Sequence, residues 1–207
     1  MLFGVAVSPA AQTTGGGNTL YFEDPRALAV GEARFPQLLS MSGELILVHQ
    51  ESENVSDEGG QIYITVQRSP DGREWERRPR RIGPVPFAGT SVPYVFSAAR
   101  GADNSLYVAV TRSADETVIY RSTDRGESFD VVHRVTTAQT NVAPRLFRTS
   151  DDSMLLFVNT NLNGRQQPIY THSADGATWS DPQPLEPDPQ VGLVFLPTVA
   201  SLNGRDY

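Results

Sequence analysis

Residues 122–129 read STDRGESF: a serine, an aspartate two positions on, a glycine, then an aromatic. Such a cluster is either a place where chemistry happens or a clip that holds a turn shut, and recurrence decides between the two. SPDGREW begins at Ser69 and SADGATW at Ser173, so the three copies start 53 and 51 residues apart. Each closes on an aromatic, Trp75, Phe129 or Trp179. Short Ser and Asp side chains satisfy the N–H groups of a turn, and glycine takes the positive φ that a tight turn demands. The repeated pattern is therefore read as a clip, in preference to a metal or acid–base role for Asp71, Asp124 and Asp175.

A second element recurs in phase. Pro36, Pro93, Pro144 and Pro197 each precede a few apolar residues, a turn and a new apolar run. The turns carry Gly43, Asp103-Asn104, Asp151-Asp152 and Asn203-Gly204, residues that accept hairpin backbone. Leu45–Val48, Leu106–Val110 and Leu155–Val158 are short runs of strand length. A third strand, IYITVQRS, TVIYRS or PIYTHS, leads into each Ser-x-Asp turn, and a fourth such as EWERRPRRI or FDVVHRV follows it. No stretch sustains a 3.6-residue period with caps, so almost no helix is expected.

Four short strands in each unit of about 50 residues predict an all-β protein, a β-propeller of four-stranded antiparallel blades. The blades are expected at about 33–88, 89–140 and 141–190, with the start of a fourth at 191–207, behind an N-terminal segment at 1–32. The turns resemble the Asp-box (BNR) repeat of the sialidase-like superfamily. That resemblance implies three structural boxes: Ser69, Asp71, Gly72 and Trp75; Ser122, Asp124, Gly126 and Phe129; Ser173, Asp175, Gly176 and Trp179. It also implies six blades in all, so that this chain is a fragment whose remaining blades lie in the same longer protein, and a ligand face turned away from the boxes.

ARFPQL, residues 33–38, resembles the family's Phe/Tyr-Arg-Ile-Pro motif through Arg34 and Pro36, while Ala33 and Phe35 depart from it. The resemblance makes Arg34 the candidate clamp for a substrate carboxylate, for which a planar guanidinium is suited. In HQESENVSDEGGQIYI, Asp57 holds the position of the family's general acid/base, with Glu58 next. Such an acid needs a pKa raised by burial or by neighbours such as Glu51, Glu53 and Glu58. The family's tyrosine nucleophile has no match, and Tyr207 is a strand residue by position. The expected function is a non-catalytic glycan- or protein-binding module of a larger secreted or surface protein. The alternative is an exo-sialidase-type hydrolase of sialoglycans whose remaining residues lie beyond residue 207.

Composition narrows the partners. A net charge of −7 argues against nucleic acid as a partner, and no apolar stretch has the length of a membrane span. Cysteine is absent, which removes disulfides and thiolate metal sites, and every basic residue is arginine. His49, His133 and His172 are scattered without metal-ligand spacing, and Gly15–Gly17 is not followed by a helix, so neither a metal nor another cofactor is expected. Five arginines between residues 73 and 81 fit an outer strand guarded by charge, or an anionic glycan site. The apolar N-terminus, with Ala10-Ala11-Gln12 near a cleavage point, reads as a signal remnant or an edge strand. An extracellular, periplasmic or cell-surface location follows from the signal reading.

Overall fold

The computed structural model describes residues 32–53, 61–86, 95–113, 115–137, 142–162, 165–185, 201–202 and 205–206. The first sheet holds β1 (Glu32–Met41), β2 (Glu44–Glu53), β3 (Gln61–Ser69) and β4 (Arg80–Pro86). The second holds β5 (Phe96–Arg100), β6 (Leu106–Thr111), β7 (Glu116–Ser122) and β8 (Asp130–Thr136). The third holds β9 (Val142–Arg148), β10 (Met154–Leu162), β11 (Arg165–Ser173) and β12 (Gln183–Pro184). Each is antiparallel with its strands in sequence order, and there is no helix among the described residues. A hairpin of β13 (Ser201–Leu202) and β14 (Arg205–Asp206) follows. This is the architecture of a β-propeller.

The three blades share one register. Ser69 lies opposite Leu45, Ser122 opposite Leu106 and Ser173 opposite Met154. Counting from those serines, alternate residues face the preceding and the following blade. Leu106, Val108 and Val110 share a core with Ile46, Val48, Ile64 and Val66 of the first blade. Tyr107, Ala109 and Ile119 share another with Leu146, Met154, Leu156 and Val158 of the third. The second blade is buried on both faces, which is why all six residues of β6 are buried and its sequence does not alternate.

Side chains also lace the innermost strands. Gln37 Oε1 accepts the Ala98 N–H at 2.7 Å, and Ser97 Oγ accepts the Leu146 N–H at 3.0 Å. Gln37 lies opposite Val48, Ser97 opposite Ala109 and Arg145 opposite Phe157, which makes the three positions equivalent. The same count puts Phe96, rather than Pro93, in the place of Pro36 and Pro144; Pro93 and Pro197 lie outside the described residues.

The fourth strand of the first blade differs from its sequence reading. EWERRPRRI does not run as one strand, because β4 begins only at Arg80. The Trp75 indole N–H donates to the Gly72 carbonyl at 3.0 Å, and Glu76 N–H to the Arg68 carbonyl at 3.0 Å, which keeps this stretch in the turn. Pro79, which has no N–H to give a ladder, stands immediately before the strand.

Candidate functional site

The two ends of the blades do different things. At one end sit the Ser-x-Asp turns. Ser69 Oγ accepts the Gly72 N–H at 2.7 Å, while Asp71 Oδ1 accepts the N–H groups of Arg73 and Glu74 at 2.8 and 3.1 Å. Ser173 and Asp175 repeat this with Gly176 at 2.8 Å and with Ala177 and Thr178 at 2.9 and 2.8 Å. The middle turn has one extra residue before its glycine. Arg125 takes it up at φ 61, and the Gly126 N–H still reaches Ser122 Oγ at 2.7 Å. Asp124 then accepts from the N–H and hydroxyl of Ser128 at 2.9 and 2.6 Å.

These turns also grip the preceding blade. Trp179 stacks on His133 of β8 with ring centroids 5.6 Å apart, and Phe129 packs on the core between the first and second blades. Glu127 ion-pairs with Arg68 and Arg80, and Arg125 with Glu44 at 3.1 Å. Arg80 and Arg81 of the arginine-rich run are thus engaged in ion pairs, Arg81 with Glu51 at 2.7 Å.

The hydroxyl and N–H of Ser128, with Ser122, hold Asp124 at about 2 against an ordinary 3.8. The N–H groups of Thr178 and Ala177 do the same for Asp175, also about 2, and those of Arg73 and Glu74 lower Asp71. A carboxyl depressed in the folded state contributes stability that is full above its unfolded pKa and is lost as pH falls through the folded value. Acid unfolding followed by Trp75 and Trp179 fluorescence is therefore expected to gather its slope between about pH 4 and 2. Asp175→Asn is expected to flatten that slope.

At the opposite end lies the entrance to the innermost strand. Arg34 is exposed, lies opposite Gln50, and stands at a register shift that β1 makes before Gln37. Phe35 takes φ 54 there, as Ala143 takes φ 51 at the equivalent shift of β9. From Gln50 to Leu45, level with Ser69, is five residues of strand, about 17 Å, so Arg34 and the Ser-x-Asp turns are well separated. Asp57 and Glu58 lie outside the described residues.

Beside Arg34, on the other side of the sheet, stands a polar cluster. His49 Nε2 is 3.1 Å from Glu51 Oε1, and Arg81 donates to Glu51 Oε2 at 2.7 Å. The Arg81 guanidinium lies 5.1 Å above the Tyr63 ring, whose hydroxyl donates to Gln61 Oε1 at 2.7 Å. Burial pushes the Glu51 carboxyl up, but the hydrogen bond from His49, the neighbouring Thr65 and the charge of Arg81 outweigh it, and the net direction is down. Glu51 is thus an ionised anchor and a poor proton donor. A carboxylate beside the His49 ring requires the proton on Nε2, which leaves Nδ1 as an acceptor in the neutral ring. The arrangement suits polar recognition better than proton transfer.

Sequence reasoning named Arg34 and Asp57 but treated His49 as scattered, Glu51 as a neighbour of Asp57, and Arg81 as part of a charged run. A signal was present. Aligned on the three serines, His49 falls where the other blades have Val110 and Val158.

No protein-family model matches the sequence, and no curated protein matches it. Among solved structures, the chain is similar to xylan β-1,4-xylosidase from Bacillus halodurans C-125, with TM-score 0.52 and 12% identity over 82% of this chain and 36% of that one. It is also similar to an endo-arabinase from Bacteroides thetaiotaomicron VPI-5482, with TM-score 0.48 and 15% identity over 83% of this chain and 70% of that one. The chain therefore spans about a third of the xylosidase it resembles, and at such identities the likeness speaks for the fold. By fold, the chain is a β-propeller.

Proposed function

We propose that the chain is part of a non-catalytic, carbohydrate-binding β-propeller of a larger secreted or surface protein, and that it takes its glycan at the strand-entrance end of the first blade. The observation that carries this reading is Arg34: an exposed guanidinium at the mouth of the innermost strand, at the end away from the Ser-x-Asp turns. The described cluster beside it holds its carboxylate ionised, which favours binding over general-acid catalysis. The xylosidase it resembles in fold acts, by its name, on a carbohydrate.

Titration calorimetry of the chain with xylo-oligosaccharides and with a sialic-acid-terminated trisaccharide tests this. Arg34→Ala is expected to weaken binding about tenfold, or about 1.4 kcal/mol, with the thermal midpoint unchanged. Equal affinity in the variant overturns the role of Arg34, and preference for the sialoside identifies a carboxylate clamp. A sialidase-type hydrolase is the second reading, favoured by the Arg34-Phe35-Pro36 sequence. It requires release of sialic acid that Asp57→Asn abolishes.

A further inference from the structure

The outer strands of the first two blades hold the next blade's Ser-x-Asp turn from one equivalent position. Arg80 lies opposite Val66 and His133 opposite Ile119, each of them paired with the residue three before its own blade's turn serine. Both therefore face the following blade, as Val66 and Ile119 do. The chemistry at this position differs. Arg80 Nε donates to Glu127 Oε2 at 2.8 Å within an ion pair, while His133 lays its ring on Trp179 with 15° between the two planes.

The ion pair keeps its charges near neutral pH. Arginine stays protonated, and Arg80 first, then Arg68, hold the Glu127 carboxyl below its ordinary 4.5. The imidazole is different. Its Nε2 is buried with no hydrogen-bond partner among the described residues. With the neutral ring's one proton on Nδ1, a second proton must go to Nε2, where it meets no acceptor. Burial pushes His133 below its ordinary 6.5, and the charge of Asp181, beside Trp179 in the third blade, offsets this only in part. The other titratable groups around the stack are engaged or turned away. Arg134 pairs with Glu116 at 2.7 Å, Arg121 with Asp103, and Asp130 lies opposite Arg121. Asp175 accepts the amides of its own turn, burial raises Tyr107 above its ordinary 10, and His172 lies opposite Leu155 on the far face of the third blade.

We propose that the His133–Trp179 stack is an acid-released clasp: a proton taken up by His133 frees Trp179 from β8 and loosens the third turn's hold on the second blade, while the Arg80–Glu127 pair keeps the second turn on the first blade. The turn itself survives the change. Asp175 stays ionised down to about 2 and keeps the amides of Ala177 and Thr178, and Ser173 Oγ keeps that of Gly176. A histidine whose folded pKa is depressed contributes stability that is full above its unfolded value, about 6.5, and is lost as pH falls through the folded one. Release therefore begins below about pH 6.5, before the turn aspartates titrate between about pH 4 and 2.

Trp75→Phe leaves Trp179 as the only tryptophan, so its fluorescence reports on the clasp. From about pH 8 to about pH 5 its emission is expected to pass through one transition with a midpoint below 6.5, across which acrylamide quenching becomes about twofold more efficient. In the same background, His133→Gln is expected to abolish both changes. Asp181→Asn is expected to move the midpoint further down, which a merely structural side chain would not do. A flat emission, a transition that persists in His133→Gln, a midpoint above 6.5, or one that Asp181→Asn leaves in place would each overturn the proposal. Emission that changes while quenching does not would overturn it too, because the ring would then be charging without release.

Discussion

Gly176→Ala is expected to destabilise the protein by about 3 kcal/mol, whereas Gly43→Ala, an equally left-handed position, is expected to lose only about 1. Both glycines have positive φ, 73 and 79. They differ in what a methyl group would meet. At 43 nothing lies within 4 Å, so only the backbone penalty applies, about 1–2 kcal/mol for an L-residue. At 176 the methyl would run into the Tyr107 hydroxyl and lie 2.6 Å from its Cζ. Tyr107 is 1% exposed and belongs to the core between the second and third blades, so it has no room to swing away. Overpacking of that kind adds about 1–3 kcal/mol. Urea unfolding of the two variants measures the difference directly, and equal losses would mean that the third turn does not press on the second blade.

Ser122→Ala is expected to cost about 2 kcal/mol. The side chain is small, so lost packing is minor and the effect lies in hydrogen bonding. Its Oγ accepts the Gly126 N–H at 2.7 Å and donates to Asp124 Oδ1 at 2.7 Å. Gly126 is buried, and a methyl at 126 would stand 2.8 Å from Val66 Cγ1, so the freed amide has little space for a replacement water. An orphaned buried donor loses its full desolvation penalty, about 1–3 kcal/mol. Ser128→Ala is the control. It removes an exposed hydroxyl's bond to Asp124, and its expected loss is under about 1 kcal/mol. If the two variants proved equal under urea, the serine that opens each turn would have no special weight.

Much of the fold was legible in the sequence because the repeats mark it three times. Ser69, Ser122 and Ser173 fix the third strand of each blade, and the rest of the register counts outward from them. Proline was a less faithful marker. Pro93 falls out of phase with Pro36 and Pro144, since the second blade puts Phe96 at their position. The start of β4 was misread because charge and apolar content in EWERRPRRI suit a strand, while the indole bond of Trp75 and the imide of Pro79 keep the chain in the turn.

The polar cluster was only half legible. His49 and Glu51 stand two apart on one strand, so their shared face could be read from alternation. Arg81 could not be added, because it lies 30 residues on and reaches Glu51 only through the register that sets it opposite Thr65. Arg34 was found by resemblance, and its exposure at the strand entrance is a fact of the bulge between Arg34 and Gln37, which no composition reveals.

The lacing of the inner strands bears on how such a chain can be rearranged in evolution. Repeats that arise by duplication are often thought of as interchangeable parts. Here the second and third blades each set a main-chain N–H against a side-chain oxygen of the blade before, Gln37 or Ser97, while Arg145, in the same place, has only donors. Moving the third blade into the first position would set a guanidinium against the Ala98 amide, donor against donor. That contact sets the third blade apart from the first two, and such a move would require Arg145 to change first.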